Sequence, residues 1–96
     1  MYSFAPTPGQ TRTELHAELV AAADALTAGE PDGVANMANV AALIWQFLPD
    51  LNWAGFYRMV EGELVLGPFV GKPACIRIAL GSGVCGTAAA SGATQL

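Results

Sequence analysis

Apolar positions along the chain follow a helical period first and a period of two afterwards. From Thr11, Leu15, Leu19, Ala22 and Leu26 recur at i, i+4, i+7 and i+11, which predicts an amphipathic helix. Thr11 or Thr13 can cap it, Glu14 follows Thr11 at capping-box spacing, and Gly29 with Pro31 ends it. Asp32 suits the N-cap of a second helix through Val34, Met37, Ala41, Ile44 and Leu48, stopped by Pro49. Its alanine-rich faces predict close contact on more than one side. From Asn52 the period is two: Trp53, Gly55, Tyr57 and Met59 share one face of a strand, and Ala54, Phe56, Arg58 and Val60 the other. Glu61-Gly62 makes a tight turn and residues 63–69 return antiparallel. Gly67, Pro68, Gly71 and Pro73 mark an ordered crossing loop, residues 76–80 a third short strand, and residues 84–90 a short helix ended by Ser91-Gly92. Residues 94–96 read as the opening of a fourth strand, and residues 1–10 as an irregular lead-in.

Neither long strand is polar along one whole side. The expectation is an α+β fold: an antiparallel sheet with helices packed on one face and a ligand or second layer on the other.

Composition narrows the function. The chain is 53% hydrophobic and 12% charged, which excludes a disordered segment. Four Lys+Arg against eight Asp+Glu give a net charge of −4, without the basic stripe that nucleic acid demands. No apolar run is long enough to span a membrane, and the N-terminus has neither the basic nor the apolar region of a secretory signal. A cytoplasmic globular protein is expected. So few charges on a domain of 96 residues point to an oligomer or to the front part of a longer polypeptide.

Cys75 and Cys85 are the first candidates for chemistry. One reading makes both small buried hydrophobes. The redox reading rests on the place of Cys85 at a predicted helix N-terminus, near the amides of Gly83, Val84 and Gly86, where a thiolate is stabilised. Lys72 and Arg77 flank Cys75 and can act on it by charge. No metal is expected: there is no C-x-x-C, and His16, the one histidine, falls off the apolar stripe of the first helix. The stretch Gly81-Ser82-Gly83-Val84-Cys85-Gly86 lacks the residues of a nucleotide loop and reads as a tight turn, with anion binding through its amides as the other option. Trp53 and Tyr57 lie on one strand face with Cα atoms about 13 Å apart. Gly55 between them either serves a packed core or leaves room for an aromatic-walled pocket suited to an uncharged or thioether-like group.

Four blocks in succession carry a family resemblance: Asn52-Trp53-Ala54-Gly55-Phe56-Tyr57, Glu63-Leu64-Val65-Leu66-Gly67-Pro68-Phe69, Gly71-Lys72-Pro73-Ala74-Cys75 and Gly83-Val84-Cys85-Gly86-Thr87-Ala88. Together they resemble the free methionine-(R)-sulfoxide reductases, small cytoplasmic enzymes built on one GAF domain. The resemblance implies reduction of free methionine-(R)-sulfoxide without cofactor or metal, through a cysteine sulfenic acid and a disulfide that thioredoxin reduces. It implies that Cys75 is the resolving cysteine, that Cys85 is a second or alternative partner, and that Trp53 and Tyr57 wall the substrate pocket. It makes residues 11–96 the N-terminal part of a GAF domain, incomplete at the C-terminus. The family's sulfenic-acid-forming cysteine and its carboxylate ligands then lie beyond Leu96, so this chain alone is expected to be inactive.

A homodimer is expected, the chain as written folding only with a partner copy, by swapping or strand addition at an open sheet edge, or not cleanly at all. Two other functions stay open: a non-catalytic GAF-like module that binds a small molecule and dimerises, and a redox sensor built on the two cysteines alone.

Overall fold

A computed structural model describes residues 3–96. Helix α1, Arg12–Thr27, begins on the capping box read from the sequence: Thr11 Oγ1 accepts from the Glu14 amide, and the Glu14 carboxylate accepts from the Thr11 amide. Helix α2, Gly33–Phe47, starts on Asp32, whose carboxylate accepts from the Ala35 amide at 2.9 Å. Residues 3–10 form no helix or strand, and residues 1 and 2 of the expected lead-in lie outside the described residues. The described part is nonetheless tied down, since Thr7 donates to Glu18 and the Gln46 side-chain amide donates to the Phe4 carbonyl.

The two helices close a small core. Ala22 from α1 and Leu43 and Phe47 from α2 are buried together, with Phe4, Leu15, Leu19, Ala23 and Leu26 packed around them. The predicted α1 stripe is therefore the buried one. The α2 stripe needs correction: Val34 is exposed, Met37, Ile44 and Leu48 are half-buried, and Leu43 and Phe47 carry the contact with α1. The reason is that α2 is sandwiched between α1 and the strands, so a stripe for one face describes only part of its burial.

Strand β1, Trp53–Val60, and strand β2, Glu63–Gly71, form a hairpin across Glu61-Gly62, both at positive φ as a two-residue turn requires. Strand β3, Arg77–Ala79, adds antiparallel to the far side of β2, giving the order β1-β2-β3. Gly67, Pro68 and Gly71 lie inside β2, not in a crossing loop. Gly55 pairs with Phe69 but Tyr57 pairs with Leu66, so Phe56 alone faces both Gly67 and Pro68. That bulge is how a strand accommodates a proline without a backbone donor.

Only Arg77–Ala79 of the expected strand 76–80 joins the ladder, prolonged by one hydrogen bond from the Leu66 amide to the Ile76 carbonyl at 2.8 Å. Helix α3, Gly83–Ser91, follows and ends on Gly92 in the left-handed conformation. Gly81 and Gly83 also have positive φ, in keeping with the tight-turn reading. Residues 94–96 are not a strand: no ladder partner is present for them among the described residues, and a strand without one leaves its backbone groups unpaired. No helix among the described residues is long and apolar enough to cross a membrane.

Candidate functional site

The site is built on the hairpin and closed by the segment that follows it. Strand alternation carries Trp53, Gly55 and Tyr57 to one face, and the bulge in β2 brings Phe69 to that face opposite Gly55. Three rings then stack. Trp53 lies 5.6 Å from Phe69 at an interplanar angle of 16°, and 6.0 Å from Tyr57 at 26°, both within the range of favourable aromatic pairs. Trp53 and Tyr57 thus lean together over the strand face they share.

The space over Gly55 is a different matter. It is not left open: a Cβ there would come within 2.8 Å of Trp53 Cη2 and collide with Phe69 Cβ. Glycine at this position lets the indole lie flat on the sheet, and the aromatic surface is a filled wall rather than a hole between two rings. The Trp53 indole N–H is buried without an acceptor among the described residues, so stacking and not hydrogen bonding holds the ring.

Tyr57 links this wall to the cysteines. Its hydroxyl donates to the Cys75 carbonyl at 2.7 Å. Burial raises the phenol above its ordinary value, and electrostatic interaction with Cys75 and then with Cys85 raises it further. Cys75 and Cys85 are both free thiols and both exposed, which overturns the reading of two small buried hydrophobes. They line one cleft of about 330 Å³ together with Arg77, Ile78, Ala79 and the Ser82–Val84 turn. Cys85 is the third residue of α3, at the helix N-terminus as expected. Arg77 is engaged elsewhere: its guanidinium meets the Glu63 carboxylate at 2.6 Å across the β2–β3 ladder. His16 is exposed on α1, remote in sequence from the cleft.

What seats Cys85 is Gly86. A Cβ there would run into the Ala79 carbonyl oxygen, so α3 rests directly on the β3 backbone. A larger groove of about 510 Å³ lies between the lead-in and the α2–β1 connection, lined by residues such as Gln10, Trp45 and Pro49, and no cysteine reaches it.

No protein-family model matches the chain. Curated proteins and solved structures do. The free methionine-R-sulfoxide reductase of Escherichia coli is 51% identical over 84 residues, covering 88% of this chain and 51% of that protein. A structure described as that of the GAF domain superposes with a TM-score of 0.88 at 38% identity, over 97% of this chain and 55% of the other. The free methionine-R-sulfoxide reductase of Neisseria meningitidis, solved in complex with its substrate, gives a TM-score of 0.85 at 37% identity, over 96% of this chain and 55% of that one.

The chain is a GAF-like homologue of the free methionine-R-sulfoxide reductases. It spans about half the length of the curated relatives it matches. Within this GAF-like fold, the sequence candidates Trp53 and Tyr57 meet in the stack and Cys75 and Cys85 share the cleft, while Phe69 and the Tyr57–Cys75 bond were not read from the sequence. Alternation counted from Leu64 and Leu66 places Phe69 on the opposite face; the Gly67-Pro68 pair was the available signal that a bulge would reverse it. The hydrogen bond joins residues 18 apart through a backbone carbonyl, and no sequence pattern marks that.

Proposed function

We propose that this chain serves the reduction of free L-methionine-(R)-sulfoxide to methionine, with Trp53 and Tyr57 walling the methylsulfinyl end of the substrate. The observation that carries the reading is an aromatic wall joined by one hydrogen bond to the backbone carbonyl of Cys75, whose exposed thiol shares a cleft with that of Cys85. A stacked wall offers a polarisable face to a thioether-like group, and free thiols supply reducing equivalents.

In the proposed cycle a thiolate attacks the sulfoxide sulfur; the sulfur–oxygen bond of the substrate breaks, the oxygen passes to the cysteine sulfur, and one proton taken up from solvent completes methionine and a cysteine sulfenic acid. The Cys75 thiolate then attacks the sulfenic sulfur; an S–S bond forms, the S–O bond breaks, and the oxygen leaves as water after protonation. Thioredoxin returns the disulfide to two thiols, and Cys85 is the alternative partner. No cofactor or metal enters. We assign residues 11–96 to the N-terminal part of a GAF domain preceded by a lead-in over residues 1–10, in a cytoplasmic homodimer. Neither Cys75 nor Cys85 is assigned the attacking role.

A second reading, a GAF-like module that binds a small molecule without catalysis, is favoured by the likeness to a structure described as that of the GAF domain. Titration with each sulfoxide epimer, followed by Trp53 fluorescence in a Trp45→Phe background, tests ligand choice. Saturable binding of the R epimer, at least about tenfold tighter than the S epimer, is the expected outcome, a difference of about 1.4 kcal/mol. Equal or absent response to the two epimers contradicts the reductase reading. Saturable binding of some other small molecule would then favour the module.

A further inference from the structure

We propose that Tyr57 is a positioning residue for the dithiol: its hydroxyl fixes the peptide of Cys75 so that this thiol faces Cys85 across the cleft they share. Tyr57 and Leu66 are cross-strand partners in the hairpin. They hold two consecutive carbonyls of the following segment, Tyr57 that of Cys75 at 2.7 Å and Leu66 that of Ile76 at 2.8 Å. With both carbonyls held, the backbone beside Cys75 has one orientation relative to the sheet.

The anchor is itself rigid. The Tyr57 ring stacks on Trp53, which stacks on Phe69, and Gly55 lets the stack lie flat. Burial first, then electrostatic interaction with Cys75 and Cys85, raises the phenol above its ordinary value, which favours the protonated form that donates to a carbonyl. Cys85 is held by an independent device, the seat of Gly86 on the Ala79 carbonyl. Two thiols fixed from two sides of one cleft are a preset pair, so their meeting needs little further ordering.

The reagent dibromobimane tests this on the reduced chain, because it fluoresces once both of its arms have reacted with thiols. The wild-type protein is expected to cross-link Cys75 to Cys85, as mapped by mass spectrometry. Tyr57→Phe keeps the ring and removes the hydrogen bond; it is expected to slow the second, cross-linking step several-fold relative to the first alkylation. Phe69→Leu loosens the far end of the stack but keeps the hydroxyl, and should stay within about twofold of wild type. Amide exchange at residues 74–76 should rise in Tyr57→Phe while α1 and α2 keep their protection. Absence of cross-linking in the wild type, an equal loss in both variants, or a Tyr57→Phe rate within twofold of wild type overturns the proposal. So does a rise in exchange throughout the chain. No sulfoxide enters the test, so its failure and that of the reductase reading are distinguishable.

Discussion

The two ends of this fold are built to different standards. At the α1–α2 end, Leu43 and Phe47 are each 3% exposed and the surrounding stripe closes over them. At the β3–α3 end, Ile76, Leu80 and Val84 are 68%, 45% and 62% exposed, and the buried residue of α3 is a glycine. Apolar burial supplies most of the favourable free energy of folding, so the helix pair is the stable scaffold and the thiol-bearing end depends on a few backbone contacts. The aromatic wall lies between them on the hairpin. The candidate site thus joins a stacked aromatic wall to a thiol segment seated by a few backbone contacts.

The sharpest way to break this contrast is to hollow the scaffold. Phe47→Ala should cost about 3–5 kcal/mol in denaturant unfolding, because the cavity it leaves sits in the closed core. Val84→Ser should move stability by less than about 0.5 kcal/mol, since the side chain is already in water. Equal effects would erase the distinction between the ends.

Next in size is Gly86→Ala. The added methyl meets the Ala79 carbonyl oxygen, a backbone atom with little freedom to move. A loss of about 1–3 kcal/mol is expected, with exchange in α3 rising far more than in α1. Thr11→Ala at the scaffold's capping box should cost about 1 kcal/mol.

The smallest effect concerns pH. The Thr11 amide, then the Thr11 hydroxyl, hold the Glu14 carboxyl below its usual range. A lowered value means that this contribution is present above the unfolded carboxylate range and is lost as pH falls through the folded value. Stability curves of wild type and Glu14→Gln should therefore differ near neutral pH and converge in acid. Curves that stay parallel down through the acid range contradict the capping role.

Legibility in the sequence followed the same division. The helix starts were readable because Thr11, Glu14 and Asp32 act on amides three residues away. The hairpin was readable because Glu61-Gly62 joins strands of clear alternation. Phe47 was not, since α2 is buried on more than one side and a single stripe describes one side. The return strand was read only to residue 69, and its bulge escaped, because glycine and proline in a strand look like loop punctuation. At the candidate site, Trp53, Tyr57, Cys75 and Cys85 were named from the sequence, but their connection runs through a backbone carbonyl that every residue possesses.

Residue-resolved hydrogen exchange, with and without each sulfoxide epimer, tests the account most directly. It predicts the slowest exchange in α1 and α2, early opening in β3 and α3, and added protection in the β1–β2 hairpin around Trp53 and Tyr57 with the R epimer only. Uniform exchange along the chain, or protection that ignores the epimer, would contradict it.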